Sequence, residues 1–146
     1  MKVSRRLLLS GFGALGAAGV LGYTLVFPSF AGESLDAAKA QQLAAEGAIL
    51  LIDIRRPDEW AATGSGAGAA RLDMRREDFA TALADLAGGN RDAPIALICA
   101  RGLRSARLAN QLQAAGFTHI INVPEGMQGS GAGPGWIARG LPLNTE

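Results

Sequence analysis

The sequence predicts an α/β domain built on a mainly parallel sheet, and three observations carry that reading. Short, continuously apolar runs at 48–54 (AILLIDI), 95–98 (IALI) and 119–123 (HIINV) have the composition of strands buried on both faces. Segments with helical spacing of apolar residues separate them. Strands that alternate with helices of ordinary length imply right-handed crossovers, and so parallel neighbours.

Taken in order, residues 1–6 carry Lys2, Arg5 and Arg6 before any acid, and residues 7–27 carry no charge. A basic start followed by an apolar stretch is the pattern of an export signal or a membrane anchor. About 20 apolar residues just span a bilayer, although the glycines here weaken a retained helix. Ser4-Arg5-Arg6-Leu7-Leu8-Leu9 resembles a twin-arginine signal, and Ser29-Phe30-Ala31 offers small residues for cleavage after Ala31. Residues 1–31 are therefore expected to be a signal peptide or anchor containing a hydrophobic helix. The expected location is the periplasm, either free or anchored to the inner membrane, with this segment the only part that meets a membrane.

The domain proper spans 32–146. Glu33–Glu46 reads as a helix capped by Ser34 and ended by Gly47, and 48–54 as the strand after it. The stretch 64–69 (GSGAGA) reads as a flexible loop, 70–73 as a short strand, and 76–86 as a helix with Phe79, Leu83 and Leu86 inward. From Ser105, a plausible N-cap, Leu108, Ala109, Leu112 and Ala115 fall on one helical face, and Gly116 sits where a left-handed residue stops the helix. The glycine-rich stretch 128–135 (QGSGAGPG) reads as either a mobile lid or a slack insertion.

Composition removes several functions. The net charge of +1 comes from the N-terminal segment, and the other arginines are scattered except around residue 99, so no nucleic-acid surface is expected. A single cysteine excludes an internal disulfide. With His119 as the only histidine, no conventional zinc site and no cofactor are expected. His119, at the entrance of a strand, reads as a structural or surface residue.

The chemistry concentrates where the 95–98 strand ends. Cys99-Ala100-Arg101-Gly102-Leu103-Arg104 forms a tight loop before the helix at Ser105. Backbone N–H groups of such a loop, next to a helix N-terminus, converge on negative charge, and a sulfur at its start is favoured as the nucleophilic thiolate. Gly102 keeps the floor open, and Arg101 and Arg104 add fixed positive charge. The plain alternative is a buried, inert cysteine.

CARGLRS resembles the C-x-x-G-x-R-S loop of rhodanese-like sulfurtransferases, and the likeness extends over roughly residues 33–143. Asp53-Ile54-Arg55-Arg56-Pro57-Asp58-Glu59-Trp60 is similar to the family's D-x-R-x-x-x-E-W signature, and Trp136 to Pro142 matches its terminal W-x-x-x-G-L-P. Glu125-Gly126-Met127 resembles its G-G-M, with glutamate in place of the first glycine. The chain departs at 64–69, where the His, Ile and Pro of G-H-I-P-G-A are missing, and at the longer 128–135 segment. The resemblance implies a five-stranded, mainly parallel sheet with helices on both faces, the Cys99 strand central, and the loop at the carboxyl edge.

It also implies function. Cys99 takes a sulfane sulfur as a persulfide from thiosulfate or a persulfide donor and passes it to a thiol or cyanide. The backbone of Ala100, Arg101, Gly102, Leu103, Arg104 and Ser105 binds the anionic donor. Asp53, Arg55 and Glu59 support the loop; the plain alternative is that Arg55 and Glu59 pin it by a salt bridge. Two rivals stand beside this reading. One is a persulfide carrier or docking module serving a protein sulfur acceptor. The other is a cysteine-dependent phosphatase or arsenate reductase, whose loop places the arginine six positions after the cysteine, where this chain has Ser105.

Overall fold

The computed structural model describes residues 29–146. The expected N-terminal hydrophobic helix, and the twin-arginine-like motif with it, fall on residues 1–28 and lie outside the described residues. In chain order the elements are β1 (Glu33–Ser34), α1 (Ala37–Ala45), β2 (Leu50–Asp53), α2 (Pro57–Thr63), β3 (Ser65–Gly66), β4 (Ala70–Arg71), α3 (Phe79–Leu86), β5 (Ile95–Ile98), α4 (Leu103–Ala114), β6 (Ile120–Asn122) and β7 (Leu143–Asn144).

Five strands pair in the order β1-β6-β5-β2-β4, every neighbour parallel. The strand ending at Cys99 is therefore central, with Ile98 level with Asp53 of β2. Alternation along the strands sorts the core into two layers. Ile52, Ile95, Leu97 and Ile120 face Phe79 and Leu83 of α3 and Leu108 and Leu112 of α4. Leu51, Ala96, Ile98 and Ile121 face Ala37 and Ala40 of α1, together with Met127 and Trp136. Burial on both sides is why β2 and β5 read as unbroken apolar runs.

Several local expectations need correction. The first helix begins at Ala37, not Glu33, because Glu33 and Ser34 add a strand to β6 instead. Asp36, rather than Ser34, caps it by accepting the Lys39 N–H at 2.7 Å. Helix α3 starts at Phe79, and Leu86 turns out to solvent while Phe79 and Leu83 are buried. Helix α4 begins two residues before Ser105, with Gly102 in the left-handed region at its N-cap and Gly116 left-handed beyond its end. Ala115, placed by spacing on the apolar face, is exposed. Helix α2 was not predicted. His119 lies on the surface, 2.9 Å from Glu33.

The 64–69 loop is clamped rather than loose. Ser65 and Gly66 pair antiparallel with Leu143 and Asn144, and any side chain at Gly66 would strike the Trp136 indole. Trp136 is wholly buried, and its Nε1–H donates to the Pro142 carbonyl at 2.9 Å. Among the described residues no helix is long and apolar enough to cross a membrane. Trp136→Ala should lower stability by about 3–5 kcal/mol, the usual cost of emptying an aromatic core site, in urea unfolding followed by circular dichroism.

Candidate active site

Parallel sheets place their sites outside the carboxyl ends of the strands, and Cys99 stands there, one residue beyond the central strand. The side chain is 1% exposed, at the floor of the loop. Its Sγ accepts the backbone N–H of Gly102 at 3.1 Å and of Ser105 at 3.4 Å. The Ser105 hydroxyl lies 3.4 Å from the same sulfur and donates to the Gly102 carbonyl at 3.1 Å. Ser105 thus lines the sulfur site instead of capping the helix. Two amides converging on one sulfur give hydrogen bonds to whatever negative charge it bears, while the single Ser105 hydroxyl proton is committed to the Gly102 carbonyl.

The loop is held from behind by residues 124–128. The N–H groups of Met127 and Gln128 donate to the carbonyls of Cys99 and Ala100 at 2.8 and 2.9 Å. Gly126 backs against Ala100, and Gly102 against the Pro124 carbonyl, so closely that a Cβ at either glycine would collide with backbone. Both have positive φ, which only glycine adopts readily.

The brace rests in turn on Glu125, which the sequence showed only as a glutamate where the family has glycine. Its carboxylate is 1% exposed. It accepts the Ala37 N–H at 2.5 Å, the Gly135 N–H at 2.7 Å and Nε of Arg139 at 3.0 Å. Burial pushes its pKa up, but Arg139 and the two N–H groups outweigh that and leave it below the ordinary value. The 128–135 segment is consequently tied down, with a Ser130–Gly133 bridge and the Ser130 hydroxyl on the Pro124 carbonyl at 2.8 Å.

Asp53, Arg55 and Glu59 are near the loop but do not form one group. Arg55 is wholly buried and pairs with Asp53 at 2.8 Å, not with Glu59; its remaining donors reach Thr63 Oγ1 at 3.0 Å and the Gly64 carbonyl at 2.8 Å. It therefore fixes the end of α2. Glu59 instead binds Arg104 through both oxygens, at 2.7 and 2.8 Å, and accepts the Arg56 N–H at 3.0 Å. This ties the start of α2 to the start of α4. Of the two loop arginines, Arg101 makes only a 3.5 Å contact, to the Gly129 carbonyl, among the described residues. Leu103 is 46% exposed at the tip.

The rhodanese-like domain model matches residues 36–131, which is most of the chain and includes both the 53–60 signature and the Cys99 loop. The chain belongs to the rhodanese-like domain family. No curated protein matches it. Among solved structures it is similar to the polysulfide–sulfur transferase homodimer of Wolinella succinogenes, with 25% identity, 90% of each chain covered and a TM-score of 0.64. It is similar to a rhodanese-related protein of Thermoplasma volcanium at 27% identity, covering 79% of this chain and 100% of that one, with a TM-score of 0.55. The human single-domain sulfurtransferase TSTD1 shares the fold at 20% identity, 65% and 91% coverage and a TM-score of 0.50.

The Glu59–Arg104 pair has a pH signature. Arg104 above all holds the Glu59 carboxyl at about 2, below its ordinary 4.5. The stability this pair contributes is complete above about pH 4.5 and is lost as pH falls toward 2. Glu59→Gln should therefore lower Tm at neutral pH and flatten the fall in Tm between pH 4.5 and 2, followed by circular dichroism. An unchanged acid limb would show that the pair contributes nothing.

Proposed function

We propose that this rhodanese-like domain is a sulfurtransferase working through a Cys99 persulfide. The observation that carries the reading is the convergence of the Gly102 and Ser105 N–H groups on a sulfur at the start of a short, braced loop. In the first step the Cys99 thiolate attacks the outer sulfur of thiosulfate or of a persulfide donor. The donor S–S bond breaks, and sulfite or a thiolate leaves with its electron pair. In the second step an acceptor thiolate, or cyanide, attacks the outer sulfur of the persulfide. The Cys99–sulfur bond breaks and the Cys99 thiolate returns.

The loop amides stabilise the charge that develops on sulfur in both steps. Arg101 steers the anion; Arg104, whose head is held by Glu59, sets the position of the loop. Likeness to a protein described as a polysulfide–sulfur transferase supports a sulfane-sulfur donor. The exposed Leu103 beside Cys99 supports the second reading, a carrier that hands sulfur to a protein acceptor. The phosphatase reading is weaker, because Arg104 comes one residue early and is spent on a carboxylate. We further propose, on the sequence of residues 1–31 alone, that the protein is exported by a twin-arginine signal.

Cys99→Ser should cut sulfur transfer from thiosulfate to cyanide by about a thousandfold or more while Tm stays close to wild type. Wild type should gain one sulfur on Cys99 by intact mass spectrometry and show negligible hydrolysis of an aryl phosphate. Comparable rates on the phosphate and on thiosulfate would reverse the choice of reaction. For export, replacing Arg5 and Arg6 together by lysine should leave a tagged protein in the cytoplasm; normal delivery would remove the twin-arginine route.

A further inference from the structure

The N-terminal stretch meets the domain beside the cysteine loop. Only Pro28 separates Phe27, the last residue of the uncharged run 7–27, from Ser29. From Ser29 onward the chain is part of the fold. The Ser29 carbonyl accepts Nδ2 of Asn110, on α4, at 3.0 Å. Phe30 is half-buried and packs against the core cluster that contains Leu108, Ala109 and Leu112 of the same helix. Ser29 and Phe30 also share one cleft wall with Arg101, Gly102 and Leu103, and the Gly102 N–H reaches Cys99 Sγ at 3.1 Å. Cleavage after Ala31 would remove both contacts, so the packing favours a junction that stays intact.

The same helix carries a stripe fitted to a lipid surface. Leu103, Arg107 and Asn110 stand at i, i+4 and i+7, so they line one face of α4, and all three are exposed. No acid occurs in this helix. Glu59 holds the head of Arg104, whereas Arg107, and Arg101 at the loop end of the stripe, pair with no carboxylate among the described residues. The two peptide steps from Phe27 to Ser29 reach at most about 7 Å, and the headgroup layer is about 5–7 Å deep on each side of the hydrocarbon. A bilayer that holds residues 7–27 would therefore bring Ser29 and Asn110 to its surface, and the rest of the stripe with them. Guanidiniums meet anionic headgroups there, and an exposed leucine meets the acyl boundary.

We infer that residues 7–27 are retained as a membrane anchor, and that the stripe of Arg101, Leu103 and Arg107 docks on anionic lipid headgroups. The mouth of the Cys99 loop is thereby presented at the bilayer surface. Docking is intramolecular once the anchor is seated, so two cations and one leucine need supply little affinity of their own. The inference concerns where Cys99 works. It stands whichever donor or acceptor the loop takes, and it does not depend on the export route.

Anchor and docking are tested separately. Intact mass of the protein recovered from producing cells should give a chain that includes residues 7–31; a chain that lacks residues 7–27 would overturn the anchor. For docking, the full chain is reconstituted in vesicles of phosphatidylcholine, alone or mixed with phosphatidylglycerol. Cys99→Ser leaves no native thiol, so Leu103→Cys or Leu86→Cys in that background takes a single nitroxide. Leu86 is exposed and lines a pocket with Pro94, at the opposite, amino-terminal edge of the sheet. Collision with a water-soluble nickel chelate should be several-fold lower at position 103 than at 86 in the phosphatidylglycerol vesicles, and similar at the two in phosphatidylcholine alone. Arg107→Gln should lower the docked-to-free ratio about fivefold, the worth of one arginine at an anionic surface, and Arg107→Lys should keep it. Equal collision at 103 and 86 with phosphatidylglycerol present, protection undiminished in its absence, or protection indifferent to Arg107→Gln would overturn the docking.

Discussion

A carboxylate buried under the carboxyl edge of the sheet has to be surrounded by donors, and that requirement on Glu125 organises the site. An unpartnered charge at 1% exposure would be prohibitively costly. Glu125 is instead met by the start of α1, by Gly135 and by Arg139. Satisfying it fixes the chain on both sides. Pro124 before it and Gly126 after it are the backbone against which Gly102 and Ala100 rest. The loop around Cys99 owes its shape to this support, in addition to its own sequence.

A second buried charge does the same on the other flank. Arg55, paired with Asp53 at the end of β2, uses its remaining donors to hold Thr63 and Gly64. That positions α2, and α2 presents Glu59 to Arg104. The cysteine loop is thus gripped from two sides by arginine–carboxylate pairs, of which Glu59–Arg104 joins residues 45 apart in sequence. Among the described residues, Arg101 has no carboxylate partner and Leu103 is exposed.

The frame was legible in the sequence because β2, β5 and β6 are buried on both faces, and burial writes itself as continuous apolar runs. The position of Cys99 at the end of a central strand followed from that frame. Helix α2 was missed because none of its residues is buried, so it has no apolar face to read. Pro57 at its first position and acids in its first turn were the available signal. The 128–135 segment looked slack because glycine content suggests freedom. It is held by a glutamate and a backbone ladder that composition does not encode. The partners of Arg55 and Glu59 were exchanged for the same reason: spacing within a motif does not say which carboxylate faces which guanidinium, and the Arg104 that binds Glu59 lies 45 residues away. Following the loop, Ser105 reads as a cap in the sequence, whereas the left-handed Gly102 starts the helix earlier and turns the serine toward sulfur.

The central claim is that the Gly102 and Ser105 amides hold a negatively charged sulfur on Cys99. Amide NMR of the protein before and after loading with a sulfane-sulfur donor tests it most directly. On loading, the Gly102 and Ser105 N–H protons should show the largest amide shifts, and removing the sulfur with cyanide should reverse them. Loading of Cys99 that leaves both amides unmoved would contradict it.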